Sequence, residues 1–258
     1  MTERQIPLQE HLSELRKRLM YSVIAVAVTT GVAFVFHQQI LLLLMEPAQG
    51  FVDSPGGKPI FTELTEFIST AVKASLLVGL IGSLPFVLFQ VIMFVAPGLT
   101  PGERRYLYVL LPASLIVFLI GAGFGYRILF PPAITFLQSF GSEVATPQIR
   151  IGPYVNLMLS LLIWMGILFE TPLVLFVLAR IGVVTPSFLA RQRRYAIVVA
   201  FILGALITPT FDPVNQTIVA VPIAILYEVG IWLAKLGARM RNKAAAASEL
   251  GLDSKAGG

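Results

Sequence analysis

Apolar residues fall into six long runs separated by short polar punctuation. The first covers roughly Leu19 to Phe36 and continues through Ile40–Met45 until Glu46-Pro47 ends it, before a Gly- and Pro-rich stretch at Asp53–Pro59. The second covers roughly Ala71 to Val95, the third Leu107 to Phe130 and the fourth Tyr154 to Ala179. The fifth, Ala196 to Ile207, is short, and the sixth starts near Val214 and fades after Trp232. Most of these runs approach the ~20 residues that carry a helix across a ~30 Å hydrocarbon core. The fifth spans only ~18 Å as a helix, and the sixth is not much longer before it meets Glu228. Short spans are accommodated by local thinning of the bilayer, by snorkelling or by association with neighbours. Ahead of the first run, LQEHLSELRKRL places Leu8, Leu12, Leu15 and Leu19 at helical spacing after Pro7. That pattern predicts a short amphipathic helix on the cytoplasmic face. The predicted fold is therefore an all-α membrane protein of six transmembrane helices. Residues 1–18 form the surface helix, 19–235 a single six-span domain and 236–258 a basic, then flexible tail without regular structure from Asn242 onward.

Composition agrees with the pattern. Of 258 residues, 56% are hydrophobic and 13% charged, about half the charge load of a soluble domain. Mean hydropathy is +0.82. No cysteine is present, which excludes disulfides and thiolate chemistry, and His11 and His37 are too few for a histidine-rich metal site. The apolar run after Arg18 exceeds the apolar core of a cleavable signal, so none is expected.

The net charge of +5 reads as orientation rather than as a nucleic-acid footprint. Fifteen of the nineteen Lys and Arg lie on one side: the N-terminus, the loops after spans two and four, and the tail after span six. Lys58, Arg127 and Arg150 lie in the opposite loops, and Lys73 sits near the start of span two. The positive-inside rule then puts both termini in the cytoplasm.

A few polar residues stand out against this background. Glu14 precedes Lys17 and Arg18 by three and four positions, the spacing of an intrahelical ion pair. Glu103 follows Thr100 and Pro101 in a capping-box pattern that opens span three. Glu170 lies beside Pro172, deep in an otherwise uncharged run, where a carboxylate costs about 2.5–3.5 kcal/mol to insert. It calls for a partner, a proton or a cavity. Asp212 is a candidate N-cap for span six, and Asn215, Gln216 and Thr217 open that helix with groups suited to interhelical hydrogen bonds. Internal Pro85, Pro112, Pro172 and Pro222 predict bends. Gly121 and Gly125 have the spacing for close helix approach. No phosphate-binding loop is present and His37 has no evident nucleophile beside it, so catalysis is not expected. Glu170 alone also fits a proton-coupled small-solute transporter, although no repeated half of the kind many such transporters show is evident.

At HLSELRKRL, FVAPGLTPGERR, FETP and TPTFDPVNQT, in collinear order over nearly the whole chain, the sequence resembles TatC, the polytopic core subunit of the twin-arginine protein translocase. The resemblance implies a receptor in the cytoplasmic (inner) membrane of a prokaryote that binds twin-arginine signal peptides and helps export folded proteins. It implies that Glu14 and Glu103 hold the arginine pair, with Arg16, Arg18 and Phe94 in the same site. Glu170, Gln216 and Thr217 would meet single-span partners of the TatA and TatB type, and Pro47 and Asp212 would be outer-side positions associated with transport. A further copy of the chain and the lipid bilayer are the other implied partners. No cofactor, metal or nucleic acid is expected.

Overall fold

The computed structural model describes residues 8–48, 59–95, 101–140, 148–208 and 213–256. These are helical nearly throughout. In chain order the helices are α1 (Leu8–Val35), α2 (His37–Met45), α3 (Glu66–Val95), α4 (Pro101–Phe124), α5 (Phe130–Ser139), α6 (Ile151–Phe169), α7 (Thr171–Ile181), α8 (Pro186–Arg191), α9 (Arg193–Ile207) and α10 (Pro213–Ala256). Among the described residues the only extended pairing is one parallel bridge between Ile60 and Arg150. Five stretches are long and apolar enough to cross a membrane: Leu12–Val35, Glu66–Val91, Leu111–Ser139, Ile151–Ile181 and Pro213–Lys243. Helix α9, at 15 residues, rises only ~22 Å. The chain is an all-α, multi-pass membrane protein.

Several boundaries differ from the sequence expectation, each for a local reason. The amphipathic stretch is not a separate element. α1 runs unbroken from Leu8 to Val35, because nothing between Arg18 and Leu19 interrupts the backbone ladder. The break comes instead at Phe36, where His37 starts α2 and its Nδ1 lies 2.8 Å from the Phe34 carbonyl oxygen, occupying an acceptor the helix has released. The third run does not stop at Phe130. A single π turn at Gly125–Leu129 leads into α5, which takes Pro131 and Pro132 in its first turn, where missing N–H groups cost little. The last helix extends through the alanine-rich stretch after Lys243 to Ala256, in place of the irregular tail expected there. Four consecutive alanines are strong helix formers. Pro85, Pro112 and Pro222 sit inside helices, whereas Pro172 coincides with a full interruption at Glu170 between α6 and α7.

The chain forms two compact units, one of Met1–Leu119 with Gln138–Leu159 and the other of Ile120–Leu137 with Ser160–Gly258. In the first, α1 lies along α3. A Cβ on Gly79 would sit 2.6 Å from the Thr30 backbone, so only glycine permits this approach, and the Thr29 hydroxyl donates to the Gly79 carbonyl at 2.7 Å. In the second, the Gly121 and Gly125 pair does what its spacing predicts. Cβ atoms there would stand 2.6 Å from the Met165 carbonyl oxygen and 3.1 Å from that of Leu161. Helix α10 packs against α7, α8 and α9 around buried Ala179, Leu189, Ile231 and Ala234. The turn into α8 uses Gly182 at φ 90, a left-handed conformation that favours glycine, followed by Thr185 as N-cap to the Phe188 N–H.

Candidate functional site

Helical periodicity places Glu14 and Arg18 one turn apart near the start of α1, and the structure pairs them. Arg18 donates from Nε to Glu14 Oε1 at 3.0 Å, and its Nη2 donates to the same oxygen. Both bonds land on Oε1. The guanidinium also donates from Nη1 to Gln90 Oε1 at 3.4 Å. Gln90 is buried in α3, so it anchors Arg18 to the neighbouring helix. Glu14 thus stands half-exposed with one oxygen held by an internal arginine. Lys17, the other predicted partner, instead lies over the Tyr21 ring at 5.9 Å. Arg16 is exposed, and Phe94 is half-buried in the last turn of α3. Glu103 falls in the first turn of α4, which begins at Pro101 as the capping pattern predicts; its side chain and Thr100 lie outside the described residues. Glu14, Arg18, Gln90 and Phe94 therefore belong to one end of the α1–α3 pair.

Glu170 occupies the interruption between α6 and α7. Its backbone N–H donates to the Ile167 carbonyl at 3.1 Å, and its own carbonyl accepts from Val174 at 2.9 Å. Pro172, in the first turn of α7, cannot donate to the preceding turn, which is why the helix restarts here. The Glu170 Oε1 atom is buried. Gln216 is already engaged within the chain. Its amide donates to the Phe201 carbonyl at 2.8 Å and joins α10 to α9, where Gly204 lets the helices approach. Thr217 is exposed and donates to the Pro213 carbonyl of its own helix at 2.6 Å. Pro47 sits half-buried in the 3₁₀ turn Glu46–Ala48 after α2, and Asp212 lies outside the described residues. His37 is stacked on Phe34, with ring centroids 5.1 Å apart. Among the described residues, no three His, Asp or Glu side chains gather to hold a metal ion.

The chain matches the family model described as Sec-independent protein translocase protein (TatC) over residues 10–222. The chain belongs to the TatC family. Its similarity to curated TatC proteins is full-length. It is 37% identical to that of Carboxydothermus hydrogenoformans over 91% of this chain and 95% of that one. It is 40% identical to that of Aquifex aeolicus over 92% and 98%. Among solved structures, it is similar to a crystal structure of the twin arginine translocase receptor TatC with a TM-score of 0.76 at 39% identity, covering 88% of this chain and 99% of that one. A second TatC crystal structure, in the detergent DDM, matches with a TM-score of 0.77. The chain is accordingly a protein-transport component.

Within this TatC-family chain, two polar features went unread in the sequence. Gln90 is one; its signal was a lone amide inside the apolar run FVLFQVIMFV. The other is a clasp between the segment before α3 and the start of α6. Buried Glu66 accepts from the Thr62 N–H at 2.9 Å, the Gly152 N–H at 3.0 Å and Arg150 Nη2 at 3.0 Å. Arg150 also reaches Glu63 at 3.3 Å, and hydrogen bonds to both carboxylates hold its pKa above the ordinary value. The Ile60–Arg150 bridge lies beside them. Nothing in either local sequence points to the other, since Glu66 and Arg150 are 84 positions apart.

Proposed function

We propose that the chain is the receptor and core component of a twin-arginine export system. It binds signal peptides at its cytoplasmic face and nucleates assembly with TatA- and TatB-type single-span proteins to move folded proteins across the inner membrane. The observation that carries this reading is the half-exposed Glu14 carboxylate, held at Oε1 by Arg18, which Gln90 in turn ties to α3. An incoming guanidinium is a planar fork that meets a carboxylate edge in a way a lysine ammonium does not reproduce. Glu103, from the first turn of α4, supplies the second carboxylate for the second arginine. The exposed Arg16 repels generic cations and raises selectivity.

The accompanying topology is a single membrane domain of six spans with both termini cytoplasmic and α9 as the short fifth span. Glu170, Gln216 and Thr217 meet the single-span partners, Pro47 and Asp212 act on the outer side, and copies of the chain associate. The deciding experiment is binding of a twin-arginine signal peptide and its twin-lysine counterpart to detergent-solubilised protein. Tighter binding of the arginine form by about tenfold or more is expected, since each charged hydrogen bond contributes roughly 1.5–3 kcal/mol. Equal affinities would refute the receptor reading.

The buried Oε1 of Glu170 favours one alternative, a proton-coupled small-solute transporter. That reading predicts solute uptake abolished by Glu170→Ala and indifferent to Glu14→Gln. The receptor reading predicts peptide binding sensitive to Glu14→Gln.

A further inference from the structure

Along one face of α10 the side chains change character towards the basic end of the helix. Val221, Ile225, Val229, Trp232 and Leu233 line an open groove of about 600 Å³, and all but Leu233 are exposed. Glu228 also lines it, but its charge is met. Arg193, at the start of α9, donates from Nη2 to Glu228 Oε2 at 2.9 Å, and its Nε lies 2.7 Å from Oε1. Both carboxylate oxygens thus face one guanidinium. Lys235 and Arg239 follow Trp232 by three and seven positions, which keeps them on the same helical face, and both are exposed. At the start of α9, the exposed Arg194 lies over the Tyr195 ring, 4.7 Å from its centroid. The order along the face is apolar, then aromatic, then cationic. From Val221 to Leu233 the groove runs ~18 Å.

We propose that this groove seats an anionic phospholipid, with an acyl chain along the apolar stretch and its phosphate on Lys235 and Arg239. The inference goes beyond the receptor reading and does not depend on it. It holds whichever side of the membrane bears the basic end of α10. Three features select this occupant. The ~18 Å depth is close to one leaflet, half of a ~30 Å hydrocarbon core, whereas a single-span helix calls for the whole thickness. Trp232 is 72% exposed at the point where the face turns polar, the place aromatic rings take at the level of lipid headgroups. Arg193 cancels the charge of Glu228, so Lys235 and Arg239 leave the polar end of the groove positive. A cationic end beside an apolar trough is the chemistry that recognises a phosphodiester headgroup.

The test reads the groove through its own tryptophan. The chain has two, so Trp164→Phe leaves Trp232 as the single reporter. The full chain carrying that change is placed in phosphatidylcholine vesicles doped with either phosphatidylglycerol or phosphatidylcholine brominated on the acyl chain. Brominated phosphatidylglycerol is expected to quench Trp232 at about tenfold or more lower mole fraction, since each of two cations contributes about fivefold. Lys235→Gln together with Arg239→Gln should bring the two quenching curves together. Lys17→Gln together with Arg191→Gln removes two exposed charges outside this face and should leave the preference unchanged. Equal quenching by the two lipids before any charge is removed would overturn the proposal, and that comparison needs no substitution in the groove. A preference that survives loss of Lys235 and Arg239 would overturn it too. So would an equal loss in both pairs of variants, which would mean diffuse attraction to a basic surface. Quenching by neither lipid would show a helix of a second copy or of another protein lying over the groove, and would likewise refute it.

Discussion

Glu63 and Glu66 lie three residues apart and share one arginine, yet they meet different surroundings. The side chain of Glu66 is 6% exposed and that of Glu63 is 70%. A buried carboxylate that accepts from two backbone N–H groups and a guanidinium cannot exchange those donors for water, whereas an exposed pair is screened and contributes little. Glu66→Gln turns an amide N–H₂ towards groups that are themselves donors. It is expected to lower the thermal unfolding midpoint in detergent by several degrees, with Glu63→Gln within error of the parent. The same logic ranks the Arg18 contacts. On the proposed receptor reading, Glu14→Gln removes the charge that would meet a peptide arginine and should weaken signal-peptide binding by about tenfold or more. Gln90→Leu leaves the carboxylate in place and only frees Arg18 from α3, so an intermediate loss of a few-fold is expected in the same titration. Glu14 was legible in the sequence because i, i+4 spacing on a helix fixes a neighbour. Gln90 and the Glu66–Arg150 clasp were not, because their partners come from distant parts of the chain and only packing brings them together.

At the scale of elements, the apolar runs announced most of the helices, since a bilayer forces the backbone to bond internally wherever the side chains are apolar. They did not announce where a run is divided. The interruption at Glu170 follows from Pro172 and could be read, but that at Phe36 lies in VFHQQ, which carries no proline or glycine. The fusion of the amphipathic stretch with the first span went unread for the converse reason. A change in side-chain polarity does not interrupt a helix whose backbone has no cause to stop. How closely two helices pack is also set locally, and two glycines of α3 make the comparison. A Cβ on Gly79 meets Thr30 backbone atoms at 2.6 Å, which cannot swing aside as a side chain does, whereas one on Gly82 meets nothing within 4 Å. Gly79→Ala should therefore destabilise by about 1–3 kcal/mol through overpacking. Gly82→Ala should be neutral or stabilising by up to about 1 kcal/mol, from helix propensity alone. Thermal unfolding of the two variants side by side checks both, and equal effects would mean that α1 does not sit against Gly79.

For the whole molecule, the question is whether this chain could by itself pass a folded protein. A wide aqueous path needs polar groups that face water along the length of several spans. Among the described residues, several polar side chains of these helices are instead buried. Ser75 and Ser83 are buried and donate to carbonyls of their own helix, at 2.8 and 3.0 Å, as Thr70 does at 2.7 Å. Gln216 is bound to α9, and Glu170 stands at a helix break in an apolar run rather than in a charged stripe. What the molecule offers instead is the Glu14–Arg18–Gln90 cluster at one end of α1 and α3, the proposed receptor end, and a helix α9 of only ~22 Å, which, placed as a span, thins the bilayer locally against its ~30 Å core. On this argument, liposomes containing the chain alone should bind arginine signal peptides yet leave a folded, signal-bearing cargo fully accessible to external protease. Protection of that cargo should appear only when TatA- and TatB-type proteins are added. The absence of native cysteine lets the same vesicles report orientation. A thiol introduced by Lys58→Cys should react with an impermeant reagent from the face opposite to one introduced by Lys243→Cys. Reaction of both from one face would overturn the proposed topology of six spans with both termini cytoplasmic.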